Sequence, residues 1–285
     1  DQYGAHIEVS PGVDYVSVAV YMLTRDIDTL LPLVIEILTA ATFPERELAQ
    51  AKTVHIQNLK INSEKISFQA SKLARRNLFG ENHPYGKEPE EADVQKVERA
   101  SLLCFYENAF AGCRVIVSGK TGEPTQKNIL ARLSALGNSN ADTIVRHVIQ
   151  PGERQVYIEK NNSVQTSLRV ATRTVQRHHA QYADVLFLCH VLGGYFGSRL
   201  MKNIREEKGL TYGIYASLQP FAHDGFIAIG ADVDKQNREF ALQEIRFEIE
   251  RLKTQPASVE ELDTARFHFI GSLQAEVTTP FAHAD

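Results

Sequence analysis

Arg205 and Tyr212 are the two side chains in this sequence whose type and spacing point most directly at chemistry. A glycine-broken stretch from Leu192 to Leu200 runs into a short helical segment that carries Arg205. Gly209 ends that segment, and a strand pattern carrying Tyr212 follows at once. Seven residues apart across a helix-to-strand turn, a guanidinium and a phenol can converge on one point, which neither element alone would allow. Both groups donate hydrogen bonds, and both suit a peptide carbonyl or the oxyanion that develops from it. The plainer alternative pairs Arg205 with Glu206 or Glu207 and leaves Tyr212 in the core.

Other candidates carry less. Ten histidines are present, yet none stands in H-x-x-E-H or H-E-x-x-H, the spacings that set two ligands on one helix face. His178 and His179 are adjacent, diverge on any regular element, and read as a solvated helix start. His55 is a lone histidine on a helix. Gly193, Gly194 and Gly197 suit a tight turn and close packing of helix on sheet, without the G-x-G-x-x-G order of a phosphate cradle. Ser198 and Arg199 read as cap and anchor of the short helix. Cys104, Cys113 and Cys189 lie among apolar neighbours without C-x-x-C spacing, so they read as small buried hydrophobes. A reducing compartment follows as the expectation, cytoplasm ahead of periplasm.

The elements that must position these residues come from periodicity. In the first half, strands are expected over 5–10 and 15–23, where Val16, Val18 and Val20 alternate with Ser17, Ala19 and Tyr21. Leu30, Leu31, Val34, Ile37 and Leu38 have helical spacing. Pro44 starts a long helical stretch to about Leu78, broken near Asn62 and Ser63. A loop at 82–86, a helix over 98–110 and a strand over 113–118 follow. A helix over 126–136 and an Asn/Ser/Asp-rich loop form a connector. In the second half, strands are expected over 155–160, 164–175, 211–218 and 225–233, and helices over 180–192, 234–254 and 258–277. Ser258 and Glu261 have capping-box spacing. Strand, strand, long helix, long helix occurs twice, which implies an α+β fold built from a duplicated unit, with an antiparallel (mixed) sheet and helices packed on one face. The expected organisation is 1–121, a connector at 122–153, and 154–285.

Composition sets the outer bounds. At 43% hydrophobic and 23% charged residues the chain has the balance of a globular protein. A net charge of -4 without a Lys/Arg cluster argues against a nucleic-acid partner. No apolar run approaches the roughly 20 residues of a membrane span. The chain opens with Asp1 rather than Met, so sequence upstream of it is expected.

The block from 192 to 215 resembles the second homologous domain of the insulinase/pitrilysin family of zinc peptidases. Residues 4–61, including Gly4, Ala5, Asp26 and the Phe43 to Leu48 segment, resemble the middle of that family's first domain. His83 to Gly86, Phe105, Tyr106 and Val115 to Gly119 resemble its end, and 153–285 resembles the start and middle of the second. The resemblance implies a processing-peptidase-like fold cut at both ends, the second domain stopping around Pro280 to Ala284. It assigns Arg205 and Tyr212 to substrate binding, and makes the strand containing Ala5, His6, Ile7 and Glu8 an edge to which an extended peptide adds. Glu8 and Pro11 equally suit protection of that edge against aggregation.

The family's zinc site pairs H-x-x-E-H with a Glu from a later helix. The resemblance places that motif upstream of Asp1, the third ligand at Asn58, and its acidic companion at Ala51. Neither is acidic, and a neutral amide is a poor zinc ligand. The expectation is therefore a non-catalytic chain without its own metal, the zinc residing in an active partner or an upstream segment. Its partners would be a peptide substrate and a homo- or heterodimer mate bearing H-x-x-E-H. Two readings compete: an active zinc endopeptidase whose motif lies upstream, and a scaffold without catalytic role.

Overall fold

The computed structural model describes residues 2–109, 113–136, 147–161, 163–279 and 282. A hairpin opens the chain: β1 (His6–Pro11) pairs antiparallel with β2 (Val16–Tyr21), with His6 opposite Tyr21 and Pro11 opposite Val16. Helices α1 (Ile27–Thr39), α2 (Glu45–Glu64) and α3 (Ile66–Phe79) follow. The break between α2 and α3 falls on Lys65, which is extended and donates its N–H to the Asn62 carbonyl at 3.0 Å. Short α4 (Glu91–Gln95), α5 (Arg99–Ala109) and α6 (Glu123–Leu133) complete the first stretch. Then come β3 (Gln165–Thr174), α7 (Tyr182–Cys189), β4 (Ile214–Pro220), β5 (Gly225–Asp234), α8 (Arg238–Thr254) and α9 (Val259–Glu276). No described helix is long and apolar enough to cross a membrane.

The chain divides into two compact units that do not follow sequence order. One comprises Asp1–Leu59, Pro89–Arg146 and Glu276–Asp285, the other Lys60–Glu88 and His147–Ala275. In the first, long polar side chains close the loops between helices. Arg99 donates to the carbonyls of Thr42 and Phe43, the latter at 3.0 Å, which holds Phe43 at its left-handed φ of 42°. Lys52 Nζ donates to the Gln95 and Val97 carbonyls at 2.7 and 2.9 Å, and Tyr106 Oη to the Leu38 carbonyl at 2.6 Å.

The second unit is built on an antiparallel sheet of order β3-β5-β4. Register sets Leu168, Ala231 and Ile214 in one row and Val170, Ile229 and Ala216 in the next. With Val233 these form one face, and Leu200, Ile204, Ala241 and Ile245 pack onto it. The alternate residues of the central strand, Phe226 and Ala228, meet Phe79 and Tyr85 on the other face. There α3 lies along β3, and Arg169 Nε donates to Ser71 Oγ at 3.0 Å. The fold is thus α+β with antiparallel sheets, and α3 adds a helix layer on the second face of this one.

Several expectations need correction. Residues 113–118 and 155–160 form no strand; Val115, Ile116, Val117, Tyr157 and Ile158 stand exposed with no ladder partner among the described residues. Cys104 and Cys113 are exposed rather than buried. Cys189 is buried, and burial pushes its thiol up to about 11, which makes it inert. The helix expected over 180–192 leaves regular α-helix after Cys189 and widens through His190–Gly194. The loop after residue 136 and the segment from Pro280 lie largely outside the described residues.

Two ion pairs tie the second unit's helices together. Arg199 grips Glu261 on α9 through Nε at 2.7 Å and Nη2 at 2.9 Å, a two-pronged pair with little exposure. Lys208 Nζ donates to Glu244 on α8 at 2.7 Å. These hydrogen bonds hold both carboxylates below the usual value of 4.5. His83 is held below 6.5, first by burial and then by His147. Lowered values in the folded state mean stability is present at neutral pH. It is lost as pH falls, first through 6.5 for the histidine and then through 4.5 for the carboxylates. The urea midpoint should therefore fall with acidification, and Glu261→Gln should flatten the part of that slope below pH 4.5. Phe79, fully buried against Tyr85, Phe221 and Phe226, gives the second check: Phe79→Ala should lower unfolding free energy by about 3–5 kcal/mol in the same titration.

Candidate functional site

The site grows from a close approach of backbones. A Cβ on Gly193 would stand 2.5 Å from the Ala216 amide nitrogen, so only glycine lets the end of the α7 segment lie against β4. A Cβ on Gly194 would meet the His190 ring at 2.8 Å. That ring is buried, stacks on Tyr195 with centroids 4.9 Å apart and meets the His268 ring of α9 at a tilt, 5.1 Å away. Burial, then His268, hold His190 below its usual value, and burial, then Glu261, raise Tyr195. The turn thus delivers the chain into the helix Met201–Glu207 from a fixed direction, with Leu200 and Ile204 fully buried on the sheet.

Gly209, at a φ of 61°, ends that helix in the left-handed conformation glycine adopts without strain. The last turn is wide: Lys208 N–H reaches the Asn203 carbonyl at 3.1 Å and Leu210 N–H the Ile204 carbonyl at 2.9 Å. Thr211 Oγ1 then donates to the Asp232 carbonyl on β5 at 2.7 Å and accepts from the Gly213 N–H at 3.3 Å. Tyr212 is therefore displayed from a pinned turn just before β4, and not from within a strand.

Across this turn Arg205 Nε donates to the Tyr212 backbone carbonyl at 2.9 Å. The guanidinium also sits over the Phe196 ring at 4.6 Å, a cation–π contact. No carboxylate among the described residues pairs with Arg205, so the alternative ion pair with Glu206 or Glu207 does not form. Tyr212 is 93% exposed rather than core. Both line an open cleft of about 470 Å³, shared with Gln165, Glu206, Asp232 and Asp234. The arrangement presents an oriented cation and a phenol to whatever enters.

The other sequence candidates lie elsewhere. Ala5, His6, Ile7 and Glu8 belong to the first unit, the last three on β1, whose second edge has no strand partner among the described residues. Ala51, His55 and Asn58 line a shallow groove of about 420 Å³ along one face of α2, with Glu47, Gln50 and Val54. One carboxylate, one imidazole and amides make a poor donor set for zinc beside H-x-x-E-H, and no group of three or more metal-binding side chains occurs among the described residues. His178 and His179 are exposed in the turn before α7. Ser198 does not cap with its hydroxyl; its Oγ is buried with no partner among the described residues, while its carbonyl accepts from Lys202 N–H.

Sequence reading passed over Phe196, Asn203 and Glu248. The signal for Glu248 was present: Ala241, Ile245, Glu248 and Leu252 fall on one stripe of α8, and a carboxyl group on an apolar stripe asks for a partner.

Comparison with known proteins places the chain in a family. The profile of the peptidase M16 inactive domain matches residues 96–268. The uncharacterized zinc protease YmxG of Bacillus subtilis is 21% identical over 276 residues, 96% of this chain and 67% of its own length. The uncharacterized zinc protease Rv2782c of Mycobacterium tuberculosis is 21% identical over 81% of this chain, which spans about half, 54%, of that relative. The crystal structure of a peptidase M16 inactive domain from Pseudomonas fluorescens superposes with a TM-score of 0.83 at 24% identity, covering 96% of this chain and 68% of that one. A protease from Helicobacter pylori gives 0.85 at 14% identity over 99% and 70%. Likeness at these identities speaks for the fold, whereas the profile covers more than half of the 285 residues. The chain belongs to the peptidase M16 (insulinase/pitrilysin) family and carries its inactive domain.

Proposed function

We propose that this chain is a non-catalytic subunit of an insulinase/pitrilysin-type zinc peptidase, and that Arg205 and Tyr212 bind the substrate peptide. Zinc and the general base would come from an H-x-x-E-H-bearing homologue assembled with it, the two forming a peptide-cleaving chamber. When bound there, zinc polarises the scissile carbonyl and acidifies its water. This chain holds the peptide. Arg205 and the Tyr212 phenol donate to main-chain carbonyls, and an Arg205 charge with no carboxylate partner among the described residues favours an oxygen on which negative charge is growing. The observation that carries this reading is the guanidinium fixed by a backbone carbonyl at 2.9 Å beside an open cleft. Ala5, His6, Ile7 and Glu8 would offer a strand edge to an extended peptide through backbone groups, which need no metal.

The active-peptidase reading is disfavoured by the α2 face, which offers Asn58 and Ala51 where a zinc enzyme needs carboxylates. In the full-length protein assembled with its H-x-x-E-H partner, Arg205→Ala should lower turnover of an unstructured peptide by about 100-fold or more while assembly on size exclusion stays unchanged. Unchanged turnover would leave the scaffold reading in its place. Elemental analysis of the full-length chain alone should find no stoichiometric zinc; near one zinc per chain would return the enzyme reading.

A further inference from the structure

The helix that carries Arg205 is held on its inner side by a buried polar set that the packing of the sheet does not require. Glu248, only 1% exposed, interrupts the apolar stripe of α8. Its Oε1 accepts from Asn203 Nδ2 at 2.7 Å and from Arg251 Nη1 at 3.3 Å, and its buried Oε2 has no partner among the described residues. Asn203 Nδ2 also donates to Glu244 Oε2 at 3.0 Å, and Asn203 Oδ1 accepts from Lys208 Nζ. Lys208 returns to Glu244, so the amide of Asn203 uses both donors and an acceptor in a closed set.

Stability alone does not account for this set. Replacing a buried hydrogen-bonded polar pair by apolar side chains of similar volume is often neutral or stabilising, and an unpaired buried carboxyl oxygen costs free energy. What the set adds is direction. Ile204 and Leu200 hold the helix on the sheet, but an apolar contact tolerates rotation about the helix axis, whereas the two hydrogen bonds from the Asn203 amide to Glu244 and Glu248 of α8 do not. With side-chain tips about 6 Å from the axis, a rotation of roughly 20° moves a guanidinium by about 2 Å. A displacement of about 1 Å is enough to cost a hundredfold in a positioned reaction.

We infer that Asn203 and Glu248 are positioning residues that fix the rotation of the helix Met201–Glu207 and thereby aim Arg205 at the Tyr212 carbonyl and the cleft. The functional part of this inference rests on the reading of Arg205 as a peptide-binding residue; the geometric part does not.

The test is the hydrogen exchange of the Arg205 Nε–H, followed by NMR in the full chain and assigned by its loss in Arg205→Lys. The doubly apolar variant Asn203→Leu with Glu248→Met should melt at or above the temperature of the unaltered chain, yet exchange this proton about fivefold faster or more. Glu248→Gln, which keeps an acceptor for Asn203, should restore slow exchange. In the assembled peptidase, adding Arg205→Ala to the apolar variant should cost less turnover than adding it to the unaltered chain. Should the doubly apolar variant not fold, Asn203→Ser removes the reach to α8 and serves the same measurement. A folded variant of either kind with unaltered Nε–H exchange overturns the inference. Faster exchange together with Arg205→Ala that leaves peptide turnover intact supports the positioning and sinks the functional reading instead.

Discussion

Everything in the second unit hangs on β5 being buried from both sides. Its odd residues Ile229, Ala231 and Val233 meet the core that holds Leu200 and Ile204, while Phe226 and Ala228 meet Phe79 and Tyr85. A strand covered on both faces cannot slip by one residue, because a slip would exchange every side chain between two differently shaped cores. That register reaches the site by a short route. Ala216 of β4 stands opposite Ile229, Gly193 is pressed against Ala216, and Thr211 is tied to the Asp232 carbonyl. The two ends of the Arg205 segment are thus anchored to adjacent strands of one rigid sheet, which is how a loop–helix–loop segment acquires a fixed geometry.

Much of this was legible from residue patterns, and the limits follow physical lines. Helices were readable because a helix satisfies its own backbone: α2, α3, α8 and α9 appear close to where periodicity put them. β3 and β5 were readable because their apolar content is matched by a neighbour. The runs over 113–118 and 155–160 have the same local character, yet a strand exists only as a pair, and among the described residues no ladder forms beside them. Cysteine burial failed for a related reason. Apolar neighbours in sequence surround Cys104 and Cys113, but apolar neighbours in space decide exposure. At the site, the Arg205 and Tyr212 spacing was legible. The use of the Tyr212 carbonyl as the anchor was not, since backbone acceptors leave no trace in residue types.

The choice of anchor has a chemical consequence. A carboxylate partner would orient Arg205 equally well, but it would also neutralise most of the potential that the guanidinium projects into the cleft. A neutral carbonyl orients the group through one N–H and leaves the charge in place, and the Phe196 ring supports it from one face without competing for its terminal donors. The carboxyl groups of Glu244 and Glu248 lie one step further in, where they act on Asn203 and Lys208 rather than on Arg205. Rigidity is thereby supplied by charged and polar groups behind the helix, while Arg205 at the front forms no ion pair among the described residues, although Glu206, Asp232 and Asp234 share its cleft. A lysine at 205 would carry the same charge but lacks the planar fork that lets one nitrogen be fixed while others remain free. That separation of orienting groups from the charge they orient distinguishes Arg205 from an arginine engaged in an ordinary surface ion pair.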